Sequence, residues 1–429
     1  MNKQQNLAVF GGGWWEQAVR KAGSKFVSFD GPAARGANPY DADVAARLRF
    51  GREIEPRAAS GGIWVDNGGT GLNFVSGPGG ENDLHLLHER CGATLVSHFV
   101  DPVHVCLQRL PWPAAWMSLG SRSWIKAIWD RAHATELERF GVPGVIHVPM
   151  AAPDGDYDET PLKEDDVACA VSFVGGQNTR YFSSNMPVGT GQLFAGALAG
   201  AVRADLPGAT FYDVYHDLYG LSGAVPADEP VKDRFERIQR YYAAKLFHHA
   251  SLCLRNRDRY VIFLRRQLGN LFHLAGRGWN EAYGIACDPP LSDEQYRTHF
   301  RRSAINLNFV NGNAETGLNM RHFEITAAGG FLLCHDHPEL EDCFVVGEEC
   351  DVFRGESELL EKIEYYLGHA QRRIEIARAG QKRTLSEHLY SHRLRRLLDA
   401  AAQMPPTQTS PGEVLATASR PVQAAGAER

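Results

Sequence analysis

The chain has 429 residues, of which 44% are hydrophobic and 22% charged, as in a globular protein large enough for two domains. The formal net charge of -6 argues against a protein that binds nucleic acid through a large basic surface. The longest apolar candidate, LFAGALAGAV, is too short to span a bilayer. The 8 cysteines form no CxxC pair and the N-terminus has no secretory pattern, which predicts a cytoplasmic protein with reduced thiols.

The first half of the sequence alternates short apolar strands with helices. Strands are predicted for NLAVF, KFVSFD, GGIWVDNG, TLVSHFVD and VIHVPM, and helices for WWEQAVRKAG, ENDLHLLHERCG and SWIKAIWDRAHATELERFG. Such alternation is typical of a parallel sheet that is covered by helices on both faces. We assign this unit, residues 1–158, to an N-terminal Rossmann-like domain.

A second alternating unit follows the acidic, proline-containing run AAPDGDYDETPLKEDD, and we place a linker at 159–167. Strands are predicted for VACAVSFVGG, LFHLAGRGW and AINLNFV, and helices for 231–268, EQYRTHFRRS and HPELEDCF. The second domain spans 168–390, a helix at 391–403 is predicted to return to the first domain, and the Pro-, Ala-, Thr- and Ser-rich tail 404–429 to be disordered. The predicted fold is therefore α/β, with two Rossmann-like domains facing across a cleft.

The first glycine turn, AVFGGGWWEQ, resembles part of a dinucleotide-binding fingerprint. Strand, glycines and helix are followed by a second strand that ends at Asp30. The third fingerprint position, however, holds Glu16, and a glycine turn is common after the first strand of any doubly wound sheet. We therefore assign Gly11, Gly12 and Gly13 to a loop on the acceptor side of the cleft. An NAD- or FAD-dependent oxidoreductase that uses this turn remains an alternative.

The second glycine turn, SFVGGQNTR, follows the first strand of the second unit. Backbone amides of Gly175 and Gly176, together with Arg180, have the chemistry to hold a phosphate. A plain strand exit with a solvated arginine explains the same residues when they are taken alone.

The segment NLNFVNGNAETGLNMRHFEITAAGG concentrates polar side chains and glycines between a strand and a helix. Arg321 and Glu324 lie three residues apart and thus on one helix face. A carboxylate can accept both hydroxyls of a ribose, and an arginine can hold a diphosphate through two hydrogen bonds. Complementing the helix dipole is the simpler explanation of Glu324.

From about Ala304 to Leu398 the chain resembles the C-terminal segment of GT-B glycosyltransferases, particularly the group of the spore maturation protein CgeB. The resemblance rests on INLNF, GLNMRHFEITAAGGFLLC and HPELEDCFVVGEECDVFRG, and more weakly on SFVGG, HFVDPVH and VIHVPMAAPDGDYDE. It implies a cytoplasmic enzyme of bacterial glycan or glycoconjugate biosynthesis. The enzyme would move a sugar from a nucleotide-diphosphate sugar to a hydroxyl of a glycan, glycoconjugate or small molecule, without a cofactor or metal. Peripheral membrane contact stays open.

The resemblance also implies roles for individual residues. Glu324 would bind the ribose, Arg321 and Arg180 would lie near the diphosphate, and Gly317 and Asn319 would shape the sugar-phosphate pocket. Many retaining relatives have an acidic pair with seven residues between its members. Here the earlier position is Thr316, with Glu315 one residue before it. The stereochemical outcome stays open, as does a catalytically silent protein that only binds sugar nucleotides or glycans.

Two further groups of polar side chains are candidates for catalysis and for metal binding. The segment SHFVDPVH offers Asp101, and after it His98, to orient or deprotonate an acceptor hydroxyl; a turn cap and a packed histidine are the alternative. The segment CHDHPELEDC places three polar side chains in sequence, as a metal site might, but adjacent side chains on an exit turn point apart. No metal site is predicted.

Overall fold

The computed structural model describes residues 6–32, 43–58, 61–107, 110, 112–160, 162–177, 189–204, 206, 209–218 and 231–404. Its first sheet has the strand order β2-β1-β3-β6-β7-β8 and is parallel throughout. The strands are β1 (Leu7–Phe10), β2 (Val27–Phe29), β3 (Ile63–Asn67), β6 (Thr94–Phe99), β7 (Trp124–Ile128) and β8 (Val145–His147). A separate antiparallel hairpin joins β4 (Phe74–Gly77) to β5 (Gly80–Leu86).

The helices of this half are α1 (Trp14–Lys21), α2 (Val44–Ile54), α3 (Leu87–Arg90), α4 (Val103–Cys106), α5 (Trp112–Leu119) and α6 (Arg131–Arg139). Two of the predicted helices are wrong in part. ENDLHLLHERCG forms most of β5 before the short α3, and SWIKAIW forms β7, so that α6 begins only after Asp130.

The second sheet is also parallel, with the order β10-β9-β11-β12-β13. Its strands are β9 (Cys169–Val174), β10 (Phe272–Ala275), β11 (Ser303–Asn308), β12 (Leu332–His335) and β13 (Asp351–Phe353). The helices around it are α10 (Arg259–Leu268), α11 (Trp279–Tyr283), α12 (Asp293–Arg301), α13 (Met320–Ala327), α14 (Glu356–Gly368) and α15 (Ala370–Glu387). HPELEDCF, predicted as a helix, forms turns instead. The two parallel sheets with their helices confirm the predicted α/β fold with two Rossmann-like domains.

Three helices between β9 and β10 form a bundle that packs on the N-terminal half. They are α7 (Thr190–Ala204), α8 (Phe211–Leu218) and α9 (Val231–Cys253), and α9 continues into a π-helical turn at Leu254–Asp258. Buried bundle residues such as Phe211 and Tyr241 share one hydrophobic cluster with Phe140 and Leu137 of the first half. The bundle follows β9 in sequence, but its apolar face is buried against the other domain.

The last helix, α16 (Tyr390–Ala402), packs against α1. The Tyr390 ring stacks on Trp14 with ring centroids 5.2 Å apart, and Leu394 and Leu397 join the cluster that contains Val9 of β1. The C-terminal helix is therefore part of the N-terminal core. Within the described part of the chain, no helix is both long and apolar enough to cross a membrane.

Candidate functional site

The two halves meet at the segment between β11 and α13, residues 309–319, which we call the site loop. Because all strands of each sheet are parallel, their carboxyl ends share one edge, and ligands of such sheets bind at that edge. The site loop leaves the carboxyl end of β11 and contacts residues that follow β6 and β7 of the first sheet. Gly317 lies very close to the residues that follow β7. A Cβ added to it would be 2.8 Å from the Asp130 Cα and 2.9 Å from the Trp129 ring.

The carboxylate of Asp130 is the main contact of the first half with the site loop. One oxygen accepts hydrogen bonds from the backbone N–H groups of Glu315, Thr316 and Gly317 at 2.7, 2.9 and 2.9 Å. The other oxygen accepts from the Thr316 hydroxyl and from the backbone N–H of His133, at 3.1 Å each. Asp130 therefore caps the N-terminus of α6 and binds the site loop with the same side chain.

A second carboxylate, Glu339, completes this junction from the second half. It accepts hydrogen bonds from the Thr316 hydroxyl at 2.6 Å and from the Arg131 backbone N–H at 2.8 Å. His147, at the end of β8, lies 2.9 Å from its other oxygen. The single proton of the Thr316 hydroxyl is thus shared between the carboxylates of Asp130 and Glu339, one from each half of the chain.

The start of the site loop is bound by two side chains of the first half. The Asn313 amide donates to the Asp101 carboxylate, and the His133 ring bonds the Asn313 carbonyl at 2.8 Å. Asp101, the first of the predicted catalytic residues, therefore lies at the facing edges of the two sheets.

Glu315 turns away from Asp130 into a buried charged cluster. Its carboxylate lies 2.8 Å from the Lys245 ammonium and accepts from the Phe211 backbone N–H at 2.8 Å. Lys245, fully buried, also pairs with Glu136 of α6 and lies 3.0 Å from the His133 Nδ1. Burial alone would raise the pKa of Glu315, but the charges of Lys245, Arg203 and His133 together outweigh it and hold the pKa well below its ordinary value. The cluster fastens the site loop to α6 and α9.

These side chains also bear on metal binding. Among the described residues, His133, His249 and Glu315 form a group with the spacing of metal ligands. The Lys245 ammonium already contacts two members of this group, so a cationic group stands where a metal would. The residues of CHDH diverge: His337 bonds the Thr316 carbonyl, Asp336 pairs with Arg354, and His335 packs on the ring of Phe353.

Arg321 and Glu324 of α13 bind each other, at 2.8 Å. The Arg321 guanidinium also lies over the Tyr296 ring, 4.4 Å from its centroid, and both charged side chains are less than one-fifth exposed. Glu324 is close enough to Tyr157 and Tyr390 to raise the pKa of each phenol, although burial is the larger cause in both. The pair lies near the connection between the two halves.

Asn319 precedes α13 and bonds to β11. Its side-chain oxygen accepts from the Asn308 amide at 2.9 Å. Its backbone carbonyl and side-chain oxygen both lie 3.1 Å from the His322 Nδ1. Burial lowers the pKa of His322 to about 3, so this ring is neutral at pH 7. These contacts fix the angle at which the site loop enters α13.

The second glycine turn lies at the end of β9 and is held by its carbonyl groups. Gly175 accepts from the Trp279 indole at 2.7 Å, and Gly176 accepts from the buried Arg257 at 2.8 Å. The Gly175 N–H donates to the Ala275 carbonyl at 2.9 Å, so of the two amides predicted to bind phosphate, that of Gly175 is already bonded to β10. Arg180 lies outside the described residues, so its predicted phosphate contact stays a prediction.

His98 and the first glycine turn lie away from the site loop contacts. His98 is fully buried; its Nε2 lies 2.9 Å from the Val148 carbonyl, and its ring meets those of Trp15 and Tyr390. Burial lowers the pKa of His98 to about 4. Residues 11–13 all have positive φ angles, of 78°, 60° and 66°, and lead into α1. The structure therefore brings Asp101, but not His98, to the site loop.

Two cavities border the site loop. One, of about 380 Å³, opens beside β12 and β13 and is lined by Arg259, Tyr260, Val310, His335, Asp336 and Arg354. The other, of about 210 Å³, lies between α6, α8 and the loop, and its lining includes Arg131, Thr135, Tyr212, Asp213, Thr316 and Glu339. Space for a small ligand therefore exists beside the site loop.

Sequence reasoning missed Asp130, Glu339 and Lys245. Asp130 had a local signal, because an aspartate between a strand and a helix is a preferred N-cap. Lys245 had no local sequence signal, since its partners Glu136 and Glu315 are remote in the sequence. Glu339 lies in a segment predicted as a helix, which hid its position opposite Thr316.

Two facing, parallel, helix-covered sheets with the last helix returning to the first are the architecture of GT-B glycosyltransferases. Residues 255–399 match the family model described as Glycosyl transferase-like. This segment holds β10 to β13, the site loop and α13, so the part of the chain that is similar to glycosyltransferases includes the site loop. No curated protein sequence matched the chain.

Solved structures give similar backbones at very low identity. A sucrose-phosphate synthase from Thermosynechococcus elongatus superposes with a TM-score of 0.49 and 10% identity, over 92% of this chain and 100% of that one. An α,α-trehalose-phosphate synthase (UDP-forming) from Burkholderia vietnamiensis superposes with a TM-score of 0.47 and 9% identity, over 93% of this chain and 98% of that one. Anabaena HepE, in complex with UDP and glucose, superposes with a TM-score of 0.43 and 11% identity, over 92% of this chain and 91% of that one.

Proposed function

We propose that this protein transfers a sugar from a nucleotide-diphosphate sugar to an acceptor hydroxyl, without a metal, and that it belongs to the CgeB-like group of GT-B glycosyltransferases. The observation that supports this most is the match of residues 255–399 to a glycosyltransferase family. The matched segment includes the site loop and α13, where the edges of the two sheets meet.

The donor would bind between the site loop and the pair of Arg321 and Glu324. A carboxylate has about four lone-pair directions, so Glu324 can accept the two hydroxyls of a ribose while it keeps Arg321 beside it. Arg321 would face the diphosphate, with Arg180 and the amide of Gly176 on its other side. The Gly175 amide already donates to the Ala275 carbonyl. Residues 316–319 would form the sugar-phosphate pocket.

Asp101 would act on the acceptor. Its carboxylate already lies at the facing edges and accepts from Asn313, and an ionised carboxylate is suited to orient or deprotonate a hydroxyl. His98 is fully buried and its Nε2 lies 2.9 Å from the Val148 carbonyl, which favours Asp101. Departure of the nucleotide would be assisted by arginines and backbone amides that stabilise the growing negative charge.

A catalytically silent sugar-nucleotide- or glycan-binding protein is the second candidate. Thr316 stands where many retaining relatives have an acid, and its hydroxyl is committed to Asp130 and Glu339. Such a protein would bind a nucleotide diphosphate but would neither transfer the sugar nor slowly hydrolyse the donor.

Thermal stabilisation by UDP, GDP, ADP, TDP and CMP, by their sugars and by NAD and NADH tests this proposal. We expect one nucleotide diphosphate to raise the unfolding temperature. We also expect the protein to hydrolyse the corresponding nucleotide sugar slowly in water, which releases that nucleotide diphosphate. Binding without release would favour the silent protein. Stabilisation by NAD or NADH alone, lost in Asp30→Ala, would favour the oxidoreductase and contradict the proposal.

A further inference from the structure

The amides of Glu315, Thr316 and Gly317 form an anion-binding arrangement that the Asp130 carboxylate already occupies. Three consecutive backbone N–H groups converge on one Asp130 oxygen at 2.7 to 2.9 Å. Successive amides that point into one concavity bind negatively charged oxygens, including those of phosphates. The carboxylate thus stands where an oxygen of an anionic ligand would stand.

The amides are held in place independently of Asp130. Glu315 is anchored by the Lys245 ammonium at 2.8 Å and by the Phe211 N–H at 2.8 Å. The Thr316 carbonyl accepts a hydrogen bond at 2.7 Å from His337. If the Asp130 side chain rotated away, the three amides would therefore keep their direction and be free for another oxygen.

The contact also crosses between the halves of the chain. Asp130 follows β7 of the first sheet, whereas the amides follow β11 of the second. Among the described residues, the five hydrogen bonds to the Asp130 carboxylate come from the site loop or from the first turn of α6. One side chain therefore fills the anion site and closes the edge of the cleft.

We propose that Asp130 is an internal latch, whose carboxylate occupies the amides of residues 315–317 until an anionic oxygen of the donor displaces it. The identity of the displacing ligand, a nucleotide diphosphate, rests on the proposed function. The latch itself rests only on the contacts. It predicts that the wild-type protein binds its nucleotide more weakly than the site would without Asp130.

Two substitutions at this position separate the latch from helix capping. Asp130→Asn keeps the size of the side chain and one accepting oxygen for the cap, but turns an N–H group toward the amides. Asp130→Ser keeps a preferred capping residue but does not reach the loop. Asp43→Asn is the matched control, because Asp43 caps α2 in the same way, through the Ala46 N–H at 2.7 Å.

Hydrogen exchange of the amides of residues 315–317 is the first readout, and it requires no ligand. We expect exchange about tenfold faster or more in both Asp130 variants, and unchanged exchange in Asp43→Asn. Unchanged exchange in both Asp130 variants would overturn the latch.

Affinity for the nucleotide diphosphate is the second readout. We expect about tenfold tighter binding in Asp130→Asn, since the ligand no longer competes with a carboxylate. Faster exchange together with weaker binding would make Asp130 a structural clamp and overturn the latch. Faster exchange with no nucleotide bound by any form would leave the latch intact and contradict the proposed function instead.

Discussion

Replacing Lys245 by Met tests whether the buried charged cluster holds the site loop. The Lys245 side chain is fully buried, and those of Glu136 and Glu315 are 3% and 1% exposed. Methionine would leave two buried carboxylates without their shared ammonium group. Glu136 would keep the Tyr241 hydroxyl, and Glu315 would keep the Phe211 N–H and the Arg203 guanidinium 3.9 Å away.

Removal of one partner of a buried ion pair costs about 3–5 kcal/mol, because a buried charge loses its compensation. The remaining partners reduce this cost, so we expect the lower half of that range for Lys245→Met. The assay is urea unfolding at pH 7, followed by tryptophan fluorescence, with the midpoint shift converted through the slope. The backbone amides of residues 315–317 should also exchange faster, since Glu315 loses its anchor.

The control is Lys362→Met, which removes the same group from a more exposed ion pair. Lys362 lies 2.9 Å from Asp351 and is 26% exposed, so its loss should cost about 1 kcal/mol or less. Equal effects of the two substitutions would refute the reasoning, because they would mean that Glu136 and Glu315 need no buried cation.

Three further predictions concern the ligand and pH. Glu324→Ala removes the proposed acceptor of the ribose hydroxyls and should weaken nucleotide binding by ~1–3 kcal/mol, measured by titration calorimetry; an unchanged dissociation constant would count against the assignment. Asp101→Asn should lower turnover while donor affinity stays the same, and full activity would return Asp101 to a structural role. Because the pKa of His98 is lowered from 6.5 to about 4, its contribution to stability is present above pH 6.5 and is lost as the pH falls toward 4. His98→Gln should therefore flatten the pH dependence of the unfolding free energy by about 1.4 kcal/mol per pH unit in this window; identical slopes would contradict the buried neutral ring.

Much of the fold followed from local patterns. Apolar runs such as LAVF and AINLN became strands that are buried along their whole length, as expected for parallel sheets with helices on both faces. The segment ENDLHLLHERCG was wrongly predicted to be a helix, because its leucines also satisfy a helical period. The glycines at 77 and 80 instead close a hairpin, and the segment pairs with β4.

The site was predictable only where its residues are neighbours in sequence. Arg321 and Glu324 are one helical turn apart, and their ion pair follows from that spacing. The bonds from Asp130 to residues 315–317 join positions about 185 residues apart, and no periodicity carries such information. The docking of α7 to α9 on the first half likewise depends on tertiary packing, since the bundle lies within the range assigned to the second domain.

The central claim is that α13 and the site loop bind a nucleotide diphosphate. Titration calorimetry of the stabilising nucleotide against the wild type, Glu324→Ala and Glu361→Ala tests it most directly, because Glu361 is an exposed glutamate on α14 and its loss removes the same charge. We predict tight binding by the wild type and Glu361→Ala, and binding about 5- to 150-fold weaker by Glu324→Ala, which corresponds to ~1–3 kcal/mol. Equal affinities of all three proteins would contradict the account.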